Sequence, residues 1–168
     1  MHWRISHRAD PTAVKIADRH YNRQKIGSPQ FVPPGGCLVL LAPGALWVTS
    51  TPFAEYTKHE WAGAWVNSCF RNERRDLYLS SDMILDAVSA SRWELGDPPE
   101  LGIVTFVDAT KTKAKRDPGR CYRRAGFKHV GFTKKDHLWA FQLLPAEMPE
   151  PKPPIGGNYS ILVRAPLH

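Results

Sequence analysis

The 168-residue sequence has no run of about 18 apolar residues, the length that a membrane-spanning helix requires. Its opening residues, MHWRISHRAD, are too polar for a signal peptide, so we expect an intracellular, cytoplasmic protein with no membrane partner. Cysteine is also scarce. Cys37, Cys69 and Cys121 lie far apart and form no C-x-x-C pair, so neither a disulfide framework nor a structural zinc site is indicated.

Common motifs for phosphate and metal binding are missing as well. The sequence contains no G-x-G-x-x-G, no G-x-x-x-x-G-K-[ST], no H-E-x-x-H and no cluster of cysteine and histidine. A dinucleotide site and a P-loop therefore have no support, and we predict no metal site.

The composition is that of a folded domain, since 42% of the residues are hydrophobic, 11% aromatic and 23% charged. A chain of this length is expected to form one domain. We assign that domain to residues 1–145. Residues 146–168 form a proline-rich extension, in which the run at 159–165 is either a final strand or a segment that packs on a partner.

Positive charge is concentrated in residues 109–135, which we call the basic segment. It holds ten Lys or Arg against one acid, Asp117, whereas the rest of the chain holds 13 basic and 15 acidic residues. The segment is expected to bind the phosphates of a cofactor or of a nucleic acid, or to be a solvated basic face. Because few aromatic residues lie between its basic ones, we expect phosphate contacts and no base-stacking surface.

Apolar periodicity, Asp-Pro helix starts and Gly/Pro breaks predict the element order β-α-β-β-β-α-β-α-β-β, a mixed α/β sheet covered by helices. The predicted helices span residues 11–24, 81–94 and 117–124. The predicted strands span residues 2–9, 37–42, 45–50, 61–70, 101–109, 127–133 and 137–145.

The run CYRRAGFKHVG at residues 121–131 resembles the C-terminal signature of the GNAT acyltransferase superfamily, L-Y-x-K-x-G-F-x-x-x-G. The predicted element order is also the order of that superfamily, so the resemblance extends from the first strand to about residue 145. It implies a GNAT-like mixed central sheet flanked by helices. It also implies that the protein takes acetyl-CoA, or another acyl-CoA, and transfers the acyl group to an amine.

In that superfamily the helix after the fourth strand begins at a loop, [QR]-x-x-G-x-[GA], that binds the pyrophosphate of acetyl-CoA. The counterpart here is RDLYLS at residues 75–80, in which Tyr78 replaces the central glycine. This departure indicates an altered loop path or a weakened cofactor site, although free N–H groups at a helix start and nearby guanidinium groups still suit an anion. The cofactor-binding residues that we predict are Arg74, Arg75, Leu79, Ser80, Ser81 and Arg123, with ordinary surface charge as the alternative for Arg74 and Arg75.

Three residues are predicted to be catalytic. Tyr122 resembles the family tyrosine that faces the CoA sulfur and is expected to protonate the departing thiolate, or else to pack in the core. His20 is a candidate base because its ordinary pKa suits proton abstraction near neutral pH, or else it is a surface or cap group at a helix end. Asp108 ends a buried strand, where α/β sheets place functional groups, or else it caps the following loop.

A narrower resemblance is to the Mom-like branch of the superfamily, phage enzymes that modify adenine in DNA. It rests on dispersed runs: HYNR at 20–23, LSS at 79–81, FVD at 106–108 and the basic loop before residue 121. It implies DNA or a nucleotide as substrate. The residues that we expect to contact phosphate are Lys111, Lys113, Lys115 and Arg116.

Taken together, these patterns predict an acyl-CoA-dependent N-acyltransferase that modifies a nucleobase or a nucleobase-linked amine in DNA. Two alternatives remain open at this point. One is a non-catalytic nucleic-acid-binding protein on a GNAT-like fold, and the other is an acetyltransferase of a small-molecule amine. The sequence does not indicate an oligomeric state.

Overall fold

The structure is a computed structural model that describes residues 1–52, 57, 59–111 and 117–156. Three of the four predicted phosphate contacts, Lys113, Lys115 and Arg116, lie outside the described residues. The run at 159–165, predicted to be a final strand or a packing segment, also lies outside them.

The described residues follow the predicted order of elements. The helices are α1 Pro11–Asp18, α2 Ser80–Leu95 and α3 Arg120–Arg124, with a 3-10 helix at Pro145–Glu147. The strands are β1 Arg4–Ile5, β2 Gly35–Ala42, β3 Ala45–Pro52, β4 Trp65–Asn72, β5 Ile103–Val107, β6 Lys128–Phe132 and β7 Trp139–Leu143.

Helix α1 begins where the sequence predicts and ends earlier. The Asp10 side chain accepts a hydrogen bond from the Thr12 N–H, and Pro11 occupies the first turn. The helix ends at Asp18 and not near residue 24, because the Asp18 carboxylate accepts hydrogen bonds from the Arg23 side chain and the Gly27 N–H. These contacts fold the chain into a loop that the helical spacing does not indicate.

Strands β1 and β4 differ most from their predicted bounds. Strand β1 pairs with β2 at two residues only, in place of the run 2–9. Strand β4 begins at Trp65 and not at Trp61, because the Ala64 N–H bonds to the Trp61 carbonyl and Gly63 has φ 98°. A turn therefore precedes the strand, and the left-handed backbone at Gly63 is one that glycine adopts readily.

The seven strands form one mixed sheet in the order β1-β2-β3-β4-β5-β7-β6. Neighbouring strands are antiparallel except β4 and β5, which are parallel. This central pair is joined at three positions only, Trp65 with Ile103, Val66 with Val104 and Asn67 with Thr105. Past Asn67 and Thr105 the two strands diverge, since β4 stays paired with β3 and β5 stays paired with β7.

Helices cover both faces of the sheet. On one face, α2 packs Met83 and Ile84 onto a core that includes Trp47 and Phe141, and α3 adds Tyr122 to the same core. On the other face, α1 packs Ile16 and its neighbours onto alternate residues of β2 and β3. The fold is therefore α/β, with the sheet as the middle layer.

Within the described ranges, none of the helices combines the length and the apolar character that crossing a bilayer would require.

Candidate active site

The divergence of β4 and β5 opens a cavity of about 550 Å³, which we call the central cleft. Its walls include His20 and Tyr21 from the loop after α1, Asn67 from β4, Thr105 from β5 and Tyr122 from α3. The cleft lies at the carboxyl ends of two parallel strands, where ligand sites form in α/β sheets. The fold thus brings two of the three predicted catalytic residues, His20 and Tyr122, to one cavity.

Asn67 lines the cleft at the point where β4 and β5 separate. Its amide nitrogen donates hydrogen bonds to the carbonyls of Val48 at 3.0 Å and Cys69 at 2.9 Å. These bonds span the point where the β3–β4 register shifts, between Val48 and Thr49. Because both amide hydrogens bind backbone carbonyls, the side-chain oxygen Oδ1 is turned toward the cleft side chains.

Tyr122 is bound to that oxygen. Its hydroxyl donates to Oδ1 of Asn67 at 2.7 Å, and the Thr105 hydroxyl lies 3.3 Å from the same oxygen. The Tyr122 side chain is buried, and burial raises the pKa of its phenol well above the usual value near 10. The phenol is therefore protonated at neutral pH, which is the form that an acid needs.

A second cavity, of about 600 Å³, lies between the starts of α2 and α3, and we call it the α2–α3 groove. It shares Arg75, Ser80, Gly119 and Cys121 with the central cleft, so the two cavities are continuous. The predicted residues Leu79, Ser80 and Ser81 line it at the start of α2. The Leu79 cap makes no side-chain hydrogen bond, and its carbonyl accepts the Asp82 N–H, so the N–H groups of Ser80 and Ser81 are the ones available to an anion.

The neighbouring arginines Arg74 and Arg75 have different environments. Arg75 is exposed and lines both cavities. The Arg74 guanidinium forms an ion pair with Asp76 at 2.9 Å, and its side chain lies beside Gly44 at the β2–β3 turn. Arg74 is not among the described residues that line either cavity, so its predicted cofactor contact is not supported by its position.

Arg123 likewise lies outside the groove among the described residues. It pairs with Asp117, and its guanidinium lies 5.4 Å from the centre of the Phe141 ring. The arginines of α3 that line the groove are Arg120 and Arg124. Both are exposed and were not among the predicted residues, since a helix this short does not reveal in sequence which side faces α2.

Tyr78, which replaces the family glycine, is one of the residues that line the groove. Its ring packs 5.2 Å from that of His2 and against the core under α2, while its carbonyl accepts a hydrogen bond from the Asn72 amide at 3.1 Å. The same amide binds the Ser80 hydroxyl at 3.2 Å. Asn72 therefore fixes the loop before α2 in a path that directs the Tyr78 ring toward the core.

His20 lies in the central cleft, but its Nδ1 already accepts the N–H of Asn22 at 3.2 Å. Burial lowers its pKa below the usual value, so the imidazole is neutral at neutral pH. With Nδ1 occupied, the other nitrogen carries the proton. The ring is therefore placed as predicted, but the lone pair that a general base uses is engaged in holding the loop.

Asp108 caps the turn that follows β5, which was the alternative to a catalytic role. Its carboxylate accepts the N–H and the hydroxyl of Thr110 at 3.0 and 2.6 Å. The Thr110 hydroxyl, together with nearby Lys111, holds the pKa of Asp108 below its ordinary value. Asp108 and Lys111 line a third cavity of about 530 Å³, the α1-side pocket, which also touches Tyr21, Gln24 and Asn67.

Cys69 also lines the central cleft, where a reactive thiol would be relevant to acyl transfer. It is buried, and burial raises its pKa to about 12. The thiol is therefore protonated and is not a nucleophile at neutral pH.

Comparison of the chain with protein-family models, with curated proteins and with solved structures gives no match. Within the described ranges, no three His, Cys, Asp or Glu side chains are grouped so that they could hold a metal ion.

Proposed function

We propose that the protein is an acyl-CoA-dependent N-acyltransferase, with the α2–α3 groove as the acyl-CoA site and the central cleft as the reaction site. One observation carries the proposal. A buried, protonated phenol, Tyr122, lies in a cleft that continues into a groove lined by arginines and by the start of a helix. A thioester donor with a phosphate-bearing tail needs an acid beside its sulfur and positive charge beside its phosphates, and the cleft and the groove supply these next to each other.

The residues of the groove fit a coenzyme A moiety. Its pyrophosphate requires positive charge and N–H donors, which Arg75, Arg120, Arg124 and the first turn of α2 supply. Tyr78, the departure from the family loop, lines one side of the groove, and its ring packs beside that of His2. The volume of the groove, about 600 Å³, is in the range of small-molecule sites.

The chemistry assigned to the chain is a proton transfer. The amine attacks the thioester carbonyl, the C–N bond forms and the C–S bond breaks, and the Tyr122 hydroxyl gives its proton to the departing thiolate. The proton that the nitrogen loses passes to solvent, and solvent restores the Tyr122 phenol. Asn67 fixes the position of the phenol oxygen through its 2.7 Å bond, and Thr105 contacts the same oxygen of Asn67. The single hydroxyl hydrogen turns from Asn67 to the sulfur when the thiolate leaves. The bound acyl-CoA supplies the activated carbonyl.

The proposed acceptor is the amine of a nucleobase or of a nucleobase-linked group in DNA, entering through the α1-side pocket. This pocket opens beside the loop after α1, whereas the groove lies at α2 on the opposite face. Both cavities share walls with the central cleft, so donor and acceptor reach the cleft from different sides. Lys111 in the pocket wall provides a phosphate contact.

Calorimetric titration with acetyl-CoA tests the donor site. We expect saturable binding that is weakened about 10-fold in Arg75→Ala, because a charge-assisted hydrogen bond to phosphate is removed. Arg74→Ala is the matched control: it removes the same charge from the adjacent position, and its exposed ion pair with Asp76 contributes little to stability. Equal losses in both variants would show an effect of net charge and contradict the assigned site.

The absence of saturable acetyl-CoA binding at sub-millimolar concentration would overturn the proposal. The concentration of positive charge in the basic segment then favours the alternative, a nucleic-acid-binding protein without catalysis. If acetyl-CoA binds and its thioester is consumed only with a small-molecule amine, the acceptor assignment fails and the donor assignment stands.

A further inference from the structure

Four aromatic rings form a cluster at the β6 edge of the sheet, and we call it the edge ring cluster: His129, Phe132, His137 and Trp139. His129 stacks on Trp139 with ring centres 4.9 Å apart, and Phe132 stacks on His137 at 4.6 Å with 7° between their planes. The edge of Phe132 meets His129 and Trp139. Two parallel pairs are thus joined into one continuous aromatic surface.

Much of this surface is open to solvent. Phe132 is 40% exposed, both histidines are exposed, and Trp139 is half-buried. Strand β6 is the last strand of the sheet, so no further strand of the described chain covers its outer side. An exposed phenylalanine stacked on an exposed histidine is costly to keep in water, and such patches mark binding surfaces.

The backbone at His137 is also unusual. His137 has φ 54°, the one positive value among the described residues other than glycine. Its N–H bonds to the Thr133 carbonyl at 3.1 Å, which holds the turn in this form and sets the imidazole on the Phe132 ring. A non-glycine residue kept in the left-handed region is a recurrent sign of a functional position.

The net charge around the cluster is positive. The turn between Phe132 and His137 holds Lys134, Lys135 and one acid, Asp136, and Lys128 begins β6. Arg123 lies over Phe141, which contacts His129 at 5.3 Å. Lysine is depleted in protein–protein interfaces, whereas lysine next to exposed rings matches a partner that is both polyanionic and built of flat rings.

We propose that the edge ring cluster is a binding surface for single-stranded nucleic acid, with a base stacked on the Phe132–His137 pair and the flanking lysines on the phosphates. This inference does not require acyl transfer. The sequence predicts phosphate contacts and no stacking surface in the basic segment. The β6–β7 hairpin pairs Phe132 of that segment with Trp139, which lies outside it, so an aromatic surface adjoins the basic residues.

The test is the fluorescence anisotropy of a labelled oligodeoxythymidine of about 15 nucleotides, measured over a range of salt concentrations. We expect Phe132→Ala to weaken binding about 5- to 100-fold, with an unchanged salt slope, because a ring and no charge is removed. We expect Phe132→Tyr to bind like the parent. The matched control is Val130→Ala: Val130 lies on the same strand, is 41% exposed and has no ring.

His137→Gly separates binding from folding. Glycine suits the left-handed backbone, so the thermal midpoint should stay within a few degrees of that of the parent or rise, while the affinity falls as in Phe132→Ala. The double variant Lys134→Ser/Lys135→Ser should instead make the salt slope shallower by about 0.7 for each phosphate that the variant no longer binds.

Several results would overturn the inference. One is the absence of saturable binding between the parent protein and the single strand. A protein would then be the partner for this surface. Others are equal affinities for Phe132→Ala and Val130→Ala, or an equal loss of affinity in Phe132→Tyr and Phe132→Ala. Inorganic polyphosphate, which has charge but no rings, should bind the parent and Phe132→Ala equally. Acetyl-CoA titration of the same variants is expected to be unchanged, so this inference and the proposed enzymatic function fail independently.

Discussion

The Tyr122 hydroxyl donates a 2.7 Å hydrogen bond to Oδ1 of Asn67, the last residue at which β4 is paired with β5. The candidate acid is therefore bound to the residue at which the central strands separate. Because the Asn67 amide is fixed by two backbone carbonyls, the position of the phenol depends on the register shift between β3 and β4. The position of the candidate acid and the separation of the central strands therefore both involve the Asn67 side chain.

The first prediction concerns the phenol. If Tyr122 protonates the leaving thiolate, Tyr122→Phe should lower thioester turnover by about 100-fold, because general acid catalysis contributes that order of rate. The affinity for acetyl-CoA should stay the same, since Tyr122 lines the cleft and not the groove. Steady-state thiol release and calorimetry on the same preparations measure the two quantities. Unchanged turnover removes Tyr122 from the mechanism, and loss of folding assigns it to the core.

The second prediction concerns Asn67. Asn67→Ala leaves the carbonyls of Val48 and Cys69 without their amide donor, and we expect the free energy of unfolding to fall by at least about 1–3 kcal/mol. Ser68→Ala is the comparison, since the Ser68 hydroxyl makes one hydrogen bond among the described residues, to the Ser50 hydroxyl at a half-buried position, and its loss should cost less. Urea unfolding measures both variants. Equal losses in the free energy of unfolding of the two variants would contradict the stabilising role assigned to the Asn67 hydrogen bonds.

The third prediction is a pH dependence from Glu73. Hydrogen bonds from Arg19 and Arg71 lower the pKa of Glu73 from 4.5 to about 2. The pKa is depressed in the folded state, so the contribution to stability is present above about pH 4.5 and is lost as the pH falls toward 2.

Glu73→Gln should therefore reduce stability at neutral pH by about 1 kcal/mol, a value that allows for partial exposure of the pair. The difference from the parent should shrink between about pH 5 and pH 2 in urea titrations. Asp76→Asn, which loses a more exposed ion pair with Arg74, should change stability less at every pH. A difference that is constant with pH would contradict the assigned cause.

The fourth prediction concerns Gly119, the residue before α3. It has φ 76°, and a Cβ there would overlap the ring of Phe141. Gly96→Ala is a close control, because Gly96 has φ 85° and nothing lies within 4 Å of the position that its Cβ would take. We expect Gly119→Ala to lower the thermal midpoint clearly more than Gly96→Ala, by an overpacking cost of about 1–3 kcal/mol. Equal shifts would assign the whole effect to backbone strain.

The sequence predicts the elements whose signals are local. Asp10-Pro11 marks the start of α1, and Pro43-Gly44 separates two strands that form a hairpin. The end of α1 is missed because Asp18 is held by Arg23 and Gly27, contacts that override the helical spacing. The order of elements follows from the sequence, whereas the distance over which β4 and β5 stay paired depends on register, which a single chain does not reveal.

The candidate site is predictable in part for the same reason. Tyr122 lies on a recognisable run, and it does reach the cleft. Asn67 looks like any polar residue in a strand, and only the cross-strand contacts reveal its bonds to Tyr122 and to Val48. Arg74 and Arg75 are equivalent in sequence, and the turn before α2 directs only Arg75 to the groove.

The three-residue pairing of β4 and β5 also bears on how the chain folds and fluctuates. The strands on either side of it pair locally in hairpins, β2 with β3 and β6 with β7, whereas this seam joins residues 65–67 to 103–105 across the whole of α2. Closing such a long loop is entropically costly and is a slow step in folding. Strand β5 is joined to β7 across a similar separation, residues 103–107 with 139–143, so β5 is held on both sides by non-local pairing. Any fluctuation that widens the short β4–β5 pairing also widens the entrance to the buried phenol.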